Sequence, residues 1–379
     1  MLVLAHEATV TGAPMNLLHL LRWVRDHTEV EVEVALLAGG PMWSRFEEVA
    51  TVSELPCPEV VADLLAARPV VVPRRLRAWF RQRADVDLVY LNSISSTTFL
   101  PFLAPDPPVV VHVHELEVAL RTWFAPRSLE VFRNRPDRWI AASGAVRRVL
   151  LDELALPEER VLLHHEFIDA AAIAARDRDL RLHERLRNQG DVPADAAVVL
   201  GMGTFDWRKG ADLFVPLAAE VARRRREPVQ FVWVGGDFHQ PEWFQLDSDR
   251  QRARVERVSF VGPVADPVPW LQLADVFALT SHEDPYPLVA LEAGAAATPV
   301  VTYRNGGAVE LLAAAGDAAA RGVADHLDLN GLVDRILALL DDADLRGRAG
   351  RQLQDRVRAA HDVAEAAPRL WSDLEPLLS

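Results

Sequence analysis

Short, continuous apolar runs alternate along this chain with stretches whose apolar residues recur every three or four positions. In the first half the runs are LVLA (2–5), VEVEVALL (30–37), VDLVYLN (86–92), PVVVHVH (108–114), RWIAAS (138–143) and RVLLH (160–164). Parallel strands covered on both faces read this way, because neither face needs polar residues. Between the runs, PMNLLHLLRWVRDH (14–27) and GAVRRVLLDEL (144–154) have helical spacing. A highly charged stretch, RDRDLRLHERLRNQGDVPAD (176–195), reads as a solvated connector. The pattern then restarts with AAVVLGMG (196–203), VQFVWVGG (229–236), RVSFVG (257–262), ADVFALTS (274–281) and TPVVTY (298–303). From about residue 324 the tail is helical, and no repeat of 20 to 50 residues is visible. The prediction is α/β: two consecutive doubly wound parallel-sheet domains over 1–170 and 171–355, then a terminal helical segment, 356–379.

Composition narrows the partners. The 379 residues carry 41 Lys+Arg against 55 Asp+Glu, a net charge of −14. That balance argues against nucleic-acid binding, which needs an excess of phosphate-neutralising cations. The single cysteine, Cys57, excludes a disulfide framework and a cysteine-ligated zinc site. The opening MLVLAHEA shows no cationic segment followed by a long apolar run, and no window of about 18 apolar residues exists. The expected compartment is the cytoplasm, with association to the inner membrane face left open. Basic charge is almost all arginine, the bias of a GC-rich genome. One lysine remains, Lys209.

In open parallel sheets, ligands bind beyond the carboxyl ends of the strands, so the post-strand loops were searched for chemistry. In GMGTFDWRKGADLF a strand ends in glycines, and Arg208, Lys209 and Gly210 lead into a helix. Free N–H groups and the positive end of the helix dipole favour phosphate there, and lysine adds a compact cation. An ordinary surface lysine is the plainer reading; its uniqueness and the glycine lead-in favour phosphate, with Arg208 as a neighbouring donor. In TSHEDPYPLVALEAGAAATPVV, Glu283 and Asp284 follow a strand, and Glu292 lies in the helix beyond. A carboxylate can accept both hydroxyls of a ribose, and a helix start at Pro287 presents N–H groups to phosphate. Glu283 reads equally well as a capping acid. Glu292, among apolar neighbours, needs a partner. In YRNGGAVELL, Gly306 and Gly307 permit close backbone approach.

Taken in order and spacing, GTFDWRKGADLF, VWVGG, VSFVGPVADPVPWLQLADVFALTSHEDPYPLVALEAGAAATPVV and NGGAVELL resemble the donor half of the retaining family-four glycosyltransferases. The match is strong over about 196–315. It is looser in the first half, through TGAPMNLLHLL, VVVHVHELE and WIAASGAVRRVLL. The resemblance implies the GT-B fold: two Rossmann-like domains facing across a cleft, the first binding acceptor, the second the nucleotide-sugar donor, with C-terminal helices crossing back. It places the diphosphate on Lys209 and Gly203, the ribose on Glu292, and the transferred sugar on Asp284, one methylene shorter than the family's glutamate. Glu283 shares that task, and the backbone of Pro285, Tyr286, Pro287 and Leu288 cradles sugar and phosphate. The family's arginine partner falls on Thr204, a departure for which Arg208 is the substitute. Thr11, Gly12 and Ala13 form the loop where diphosphate and acceptor meet. His114 falls near the reacting sugar beside Glu115, with His112 on the same strand face. Ser143 takes the place of the strand-end serine, and HHEF (164–167) stands where the family often has an Asn-Gly turn.

The implied reaction transfers a sugar from a nucleoside diphosphate (UDP or GDP) to an acceptor hydroxyl with retention, His114, Lys209 and Asp284 being catalytic. The nucleotide sugar is a co-substrate; no cofactor and no metal are expected. The acceptor is a saccharide, a lipid-linked molecule or a small natural product, and the oligomeric state is open. PRRLRAWFRQR (73–83) sets Leu76, Trp79 and Phe80 on one helical face against arginines. It is either an interfacial helix on an anionic membrane or a packed helix with a solvated arginine face. Rival readings are a non-catalytic sugar-nucleotide-binding subunit, a phosphorylase holding pyridoxal phosphate on Lys209, and a nucleotide-sugar epimerase.

Overall fold

The computed structural model describes residues 1–65, 71–123 and 129–378. The chain divides into two compact units, Met1–Ile168 with Val363–Ser379, and Asp169–Asp362. Each is built on an all-parallel sheet. The first has the strand order β3-β2-β1-β4-β5-β6-β7: β1 Leu2–Glu7, β2 Glu33–Ala38, β3 Thr51–Glu54, β4 Val89–Leu91, β5 Val109–Val113, β6 Arg138–Ala141 and β7 Val161–Leu163. The second has β10-β9-β8-β11-β12-β13: β8 Ala197–Met202, β9 Val229–Val234, β10 Val258–Gly262, β11 Val276–Leu279, β12 Val300–Tyr303 and β13 Val323–Ala324.

The apolar runs become strands because both faces are covered. In the first sheet, Leu2, Leu4, Ala35, Leu37, Val109, Val111 and Val113 enter one core. Their alternating neighbours Val3, Ala5, Val34, Leu36 and Val110 enter another. The second of these cores is closed by the terminal helix Val363–Leu374, which adds Leu370, Trp371 and Leu374. The boundary expected at 356 falls inside the helix Ala343–Ala360, which belongs to the second unit. Two strands escaped the pattern. β3 is an edge strand of mixed polarity (TVSE) paired only with β2, and β13 has two residues.

Of the two readings of 73–83, the packed helix is observed for its apolar face. Leu76 and Phe80 of the helix Arg74–Arg81 are buried in the core, and Phe80 stacks on Phe99 and Phe102. The Arg83 guanidinium lies 3.7 Å over the Trp79 ring and is bonded to Glu33. Arg74, Arg75, Arg77 and Arg81 face outward. No helix among the described residues is long and apolar enough to cross a membrane.

Candidate active site

Both sheets reverse their winding at the first strand, β1 lying between β2 and β4, and β8 between β9 and β11. In open parallel sheets, ligands bind outside the carboxyl ends of the strands at such a reversal.

In the second unit the loop after β8 passes through one tight turn, Trp207–Lys209, into the helix Ala211–Arg224. Gly210 sits between them at φ 68°. A Cβ there would lie 2.0 Å from the Thr280 carbonyl oxygen, so only glycine lets this loop touch the end of β11. The seam is hydrogen-bonded: His282 N–H donates to the Arg208 carbonyl at 2.8 Å, and Thr280 Oγ1 to the Gly210 carbonyl at 2.8 Å. A third loop closes in after β12. Gly307 N–H donates to the Pro285 carbonyl at 2.9 Å, and the Asn305 amide to the carbonyls of Ser281 and His282. Gly306, at φ 52°, lies so close to the Asp284 carbonyl that a side chain would overlap it.

The result is an ion pair. Lys209 Nζ stands 2.7 Å from Asp284 Oδ2, its stem lying over Gly203. The Asp284 side chain is 5% exposed and that of Lys209 25%, so the carboxylate is covered and the ammonium reaches solvent. The other expected cation has an acid of its own loop beside it. Arg208 Nε lies 3.5 Å from Asp206 Oδ1, and Thr204 Oγ1 donates to the same carboxylate. The helix Leu288–Ala295 starts after Pro287, which makes no side-chain cap. Tyr286 is buried, with its hydroxyl 3.1 Å from His361 Nε2; it supports the loop from behind. Glu283 is buried beside Asp284. Glu292 is on the second turn of that helix, half-buried. Burial, helped by the charge of Asp266, pushes its carboxyl up to about 7. No hydrogen bond or ion pair joins it to Lys209 or Asp284 among the described residues.

In the first unit side chains do the joining. Thr11 precedes the helix Gly12–His27 without capping it; its hydroxyl is 3.0 Å from that of Thr9. Asn92, at the end of β4, donates from Nδ2 to the Ala13 carbonyl at 3.1 Å. Buried Glu115 accepts from Ser93 Oγ at 2.6 Å, from His114 N–H at 2.8 Å and from Ile94 N–H at 3.3 Å. Its oxygens thus already tie the loop after β4 to the loop after β5. His114 Nδ1 is 2.5 Å from Glu166 Oε1, and its Nε2 is 3.2 Å from Asn92 Oδ1. Burial alone would depress the imidazole; the charge and hydrogen bond of Glu166, with Glu115 behind, raise it above its ordinary value. His112 is 3.9 Å away, ring to ring, and bonds to the Tyr90 hydroxyl at 2.7 Å. Burial, with His114 and His164 adding, holds it well below its ordinary value. His112, His114 and Glu166 bring one potential ligand atom each within 4.8 Å of the others. Ser143 caps the helix Gly144–Arg148, accepting from Val146 N–H at 3.1 Å. Sequence reasoning gave no role to Asn92, Asp206 or Asn305 and no partner to Glu166. All but Glu166 stand at strand ends or in the loop after β8, which was the available signal.

Residues 17–172 match a family model described as Glycosyltransferase Family 4, and residues 196–342 one described as Glycosyl transferases group 1. The chain belongs to glycosyltransferase family 4. Among curated relatives, the D-inositol 3-phosphate glycosyltransferase of Kineococcus radiotolerans is 34% identical over 180 residues, 45% of this chain and 40% of that protein. The glycogen synthase of Mycobacterium tuberculosis is 34% identical over 165 residues, 41% of this chain and 37% of its own. The lipopolysaccharide core biosynthesis glycosyltransferase LpsE of Rhizobium meliloti is 39% identical over 118 residues, 31% of this chain and 32% of its own. The chain thus spans about two-fifths or less of the length of these relatives. Solved structures match over nearly the whole chain. HepE of Anabaena, in complex with UDP and glucose, aligns with TM-score 0.80 at 20% identity over 99% of this chain and 98% of that one. WaaG, a glycosyltransferase involved in lipopolysaccharide biosynthesis, aligns with TM-score 0.72 at 13% identity over 98% of each. The fold is GT-B.

Proposed function

We propose that the protein is a retaining glycosyltransferase that moves a hexosyl-type sugar from a nucleoside diphosphate to an acceptor hydroxyl. The observation that carries this is the Lys209–Asp284 pair, 2.7 Å apart, at the switch point of the second sheet. An ammonium has three donors, so Lys209 can keep Asp284 and still bind diphosphate oxygens. The uncapped helix start at 287–288 adds backbone N–H groups and the positive dipole end. Both stabilise charge on the departing diphosphate, whose oxygen is then placed to take the acceptor proton on the same face. We assign the ribose to Glu292 and the transferred sugar to Asp284 and His114, with acceptor contacts from Thr11, Gly12 and Ala13. UDP bound to HepE makes uridine diphosphate sugars the first donors to test. Phosphorylated inositol and growing glycans, the chemistry in its relatives' names, are the first acceptors.

The test is a thermal-shift and calorimetric panel of uridine, guanosine and deoxythymidine diphosphate sugars, followed by release of free nucleoside diphosphate with and without acceptor. Acceptor-dependent release and a product of unchanged anomeric configuration support the proposal. One observation favours a second reading, a subunit that binds donor without turnover: Thr204 stands where the family has an arginine, and its hydroxyl is spent on Asp206. Tight donor binding with no release under any acceptor would select it.

A further inference from the structure

Both ring nitrogens of His114 face oxygen acceptors. Nδ1 meets Glu166 Oε1 at 2.5 Å, and Nε2 meets Asn92 Oδ1 at 3.2 Å. The Asn92 amide is not free to turn round. Its Nδ2 donates to the Ala13 carbonyl at 3.1 Å, and a flip would set two carbonyl oxygens against each other. With Glu166 ionised, only an imidazolium offers the two N–H donors these oxygens call for, and the geometry points to a positive charge on His114. His112, stacked at 3.9 Å, is in the opposite position. One nitrogen bonds the Tyr90 hydroxyl and the other, Nε2, is buried without a partner among the described residues. It stays neutral, since a second charge so close and so buried would be repelled and unsolvated. The remaining titratable groups packed around this pair are Glu115, which receives the His114 amide, the Tyr90 phenol, and His164, itself bonded to Asp373.

We infer that Glu166 is a positioning residue that keeps His114 a doubly donating imidazolium, so that its Nε2–H is held ready for an oxygen of the bound sugar. The inference rests on the proposed transferase reading for the sugar, but not for the charge. At 3.2 Å the Asn92 bond is at the long end for N–H···O, and a substrate oxygen can share or replace it. A neutral His114 would put the shared proton on Glu166, or leave Glu166 or Asn92 facing a lone pair.

Long-range nitrogen–proton NMR of the full-length protein between pH 5 and 9 tests this, with His114 assigned by the loss of its signals in His114→Gln. The expected result is an imidazolium His114 at pH 7 beside a neutral His112. In Glu166→Gln the His114 titration should move down by at least one pH unit, and Glu166→Asp should restore part of it. The alkaline limb of transferase activity should move with it. A neutral His114 at pH 7 in the unmodified protein overturns the inference, and that measurement needs no variant to fold. A titration unchanged by Glu166→Gln also overturns it. So does stoichiometric zinc held by His112, His114 and Glu166, because a metal takes the lone pair of a neutral imidazole. If NMR gives the expected charge but no sugar is transferred, the functional reading fails and the ion pair stands.

Discussion

The two switch points share one topology and are built from opposite materials. All seven described glycines with left-handed φ (203, 210, 235, 236, 262, 306 and 316) lie in the second unit, and five of them belong to the loops after β8, β9 and β12. There the backbone itself closes the seams, leaving N–H groups and one lysine to face a ligand. The first unit uses side chains instead: Asn92, Ser93, His114, Glu115 and Glu166 interlock where glycines would otherwise bring chains together. Bare backbone suits a ligand that is mostly phosphate, whose oxygens accept from any amide. A side-chain lattice suits a partner whose hydroxyls must be told apart, because each group has a fixed donor or acceptor sense. On the proposed reading, the first would be the donor side and the second the acceptor side.

The contrast breaks most visibly at Lys209. If the backbone amides were sufficient for the diphosphate, Lys209→Ala would leave turnover nearly intact. We expect instead a fall of about 10²–10³ in kcat, the size of losing one preorganised donor. Donor-induced thermal shifts should largely vanish, as read on the uridine diphosphate sugar panel. Lys209→Arg should recover little, because a planar guanidinium does not reproduce the compact three-donor ammonium held on Asp284.

Paired substitutions sharpen the difference in stability. Gly210→Ala combines a disfavoured φ with a Cβ 2.0 Å from a carbonyl oxygen. It should cost about 3 kcal/mol in urea unfolding and separate Lys209 from Asp284. Gly39→Ala in the first unit, with nothing within 4 Å of the added Cβ, should stay within about 0.5 kcal/mol. Conversely, Glu115→Ala strips acceptors from Ser93, Ile94 and His114 and should cost about 2 kcal/mol. Equal effects for Gly210 and Gly39 would erase the proposed division.

Most of the fold could be read from the chain because buried parallel strands are nearly uninterrupted apolar runs, and eleven of the thirteen strands announced themselves in this way. β3 and β13 did not: an edge position or a two-residue length leaves no periodicity to read. The loop carrying Lys209 was legible because its signals are local, a strand, glycines and a lysine within a dozen residues. The pairings were not. Lys209 meets Asp284 across 75 residues and His114 meets Glu166 across 52. Each partner is chosen by which strand ends the sheet order brings together, a property no local pattern contains. The same reason hid the turning of Arg208 toward Asp206, since a donor near a phosphate site in sequence need not point at it.

Glu292 gives the smallest effect and the finest test of the donor side. Its carboxyl is raised to about 7 in the folded protein, against an ordinary value of 4.5. The folded state therefore holds a proton that the unfolded chain has released between those limits. Stability from this group is fully present below pH 4.5 and declines as pH rises to about 7. Because the residue is half-buried and partly screened, the span should be on the order of 1 kcal/mol. Glu292→Gln should flatten that part of the Tm–pH curve while leaving the acid limb intact. Should Glu292 bind ribose hydroxyls as a carboxylate, donor affinity in the unmodified protein should strengthen from pH 6 to pH 8, and Glu292→Gln should abolish the trend. A Tm curve that flattens without any change in donor affinity would make Glu292 a buried acid of the helix alone, and would move the ribose contact to another residue of the backbone-built unit.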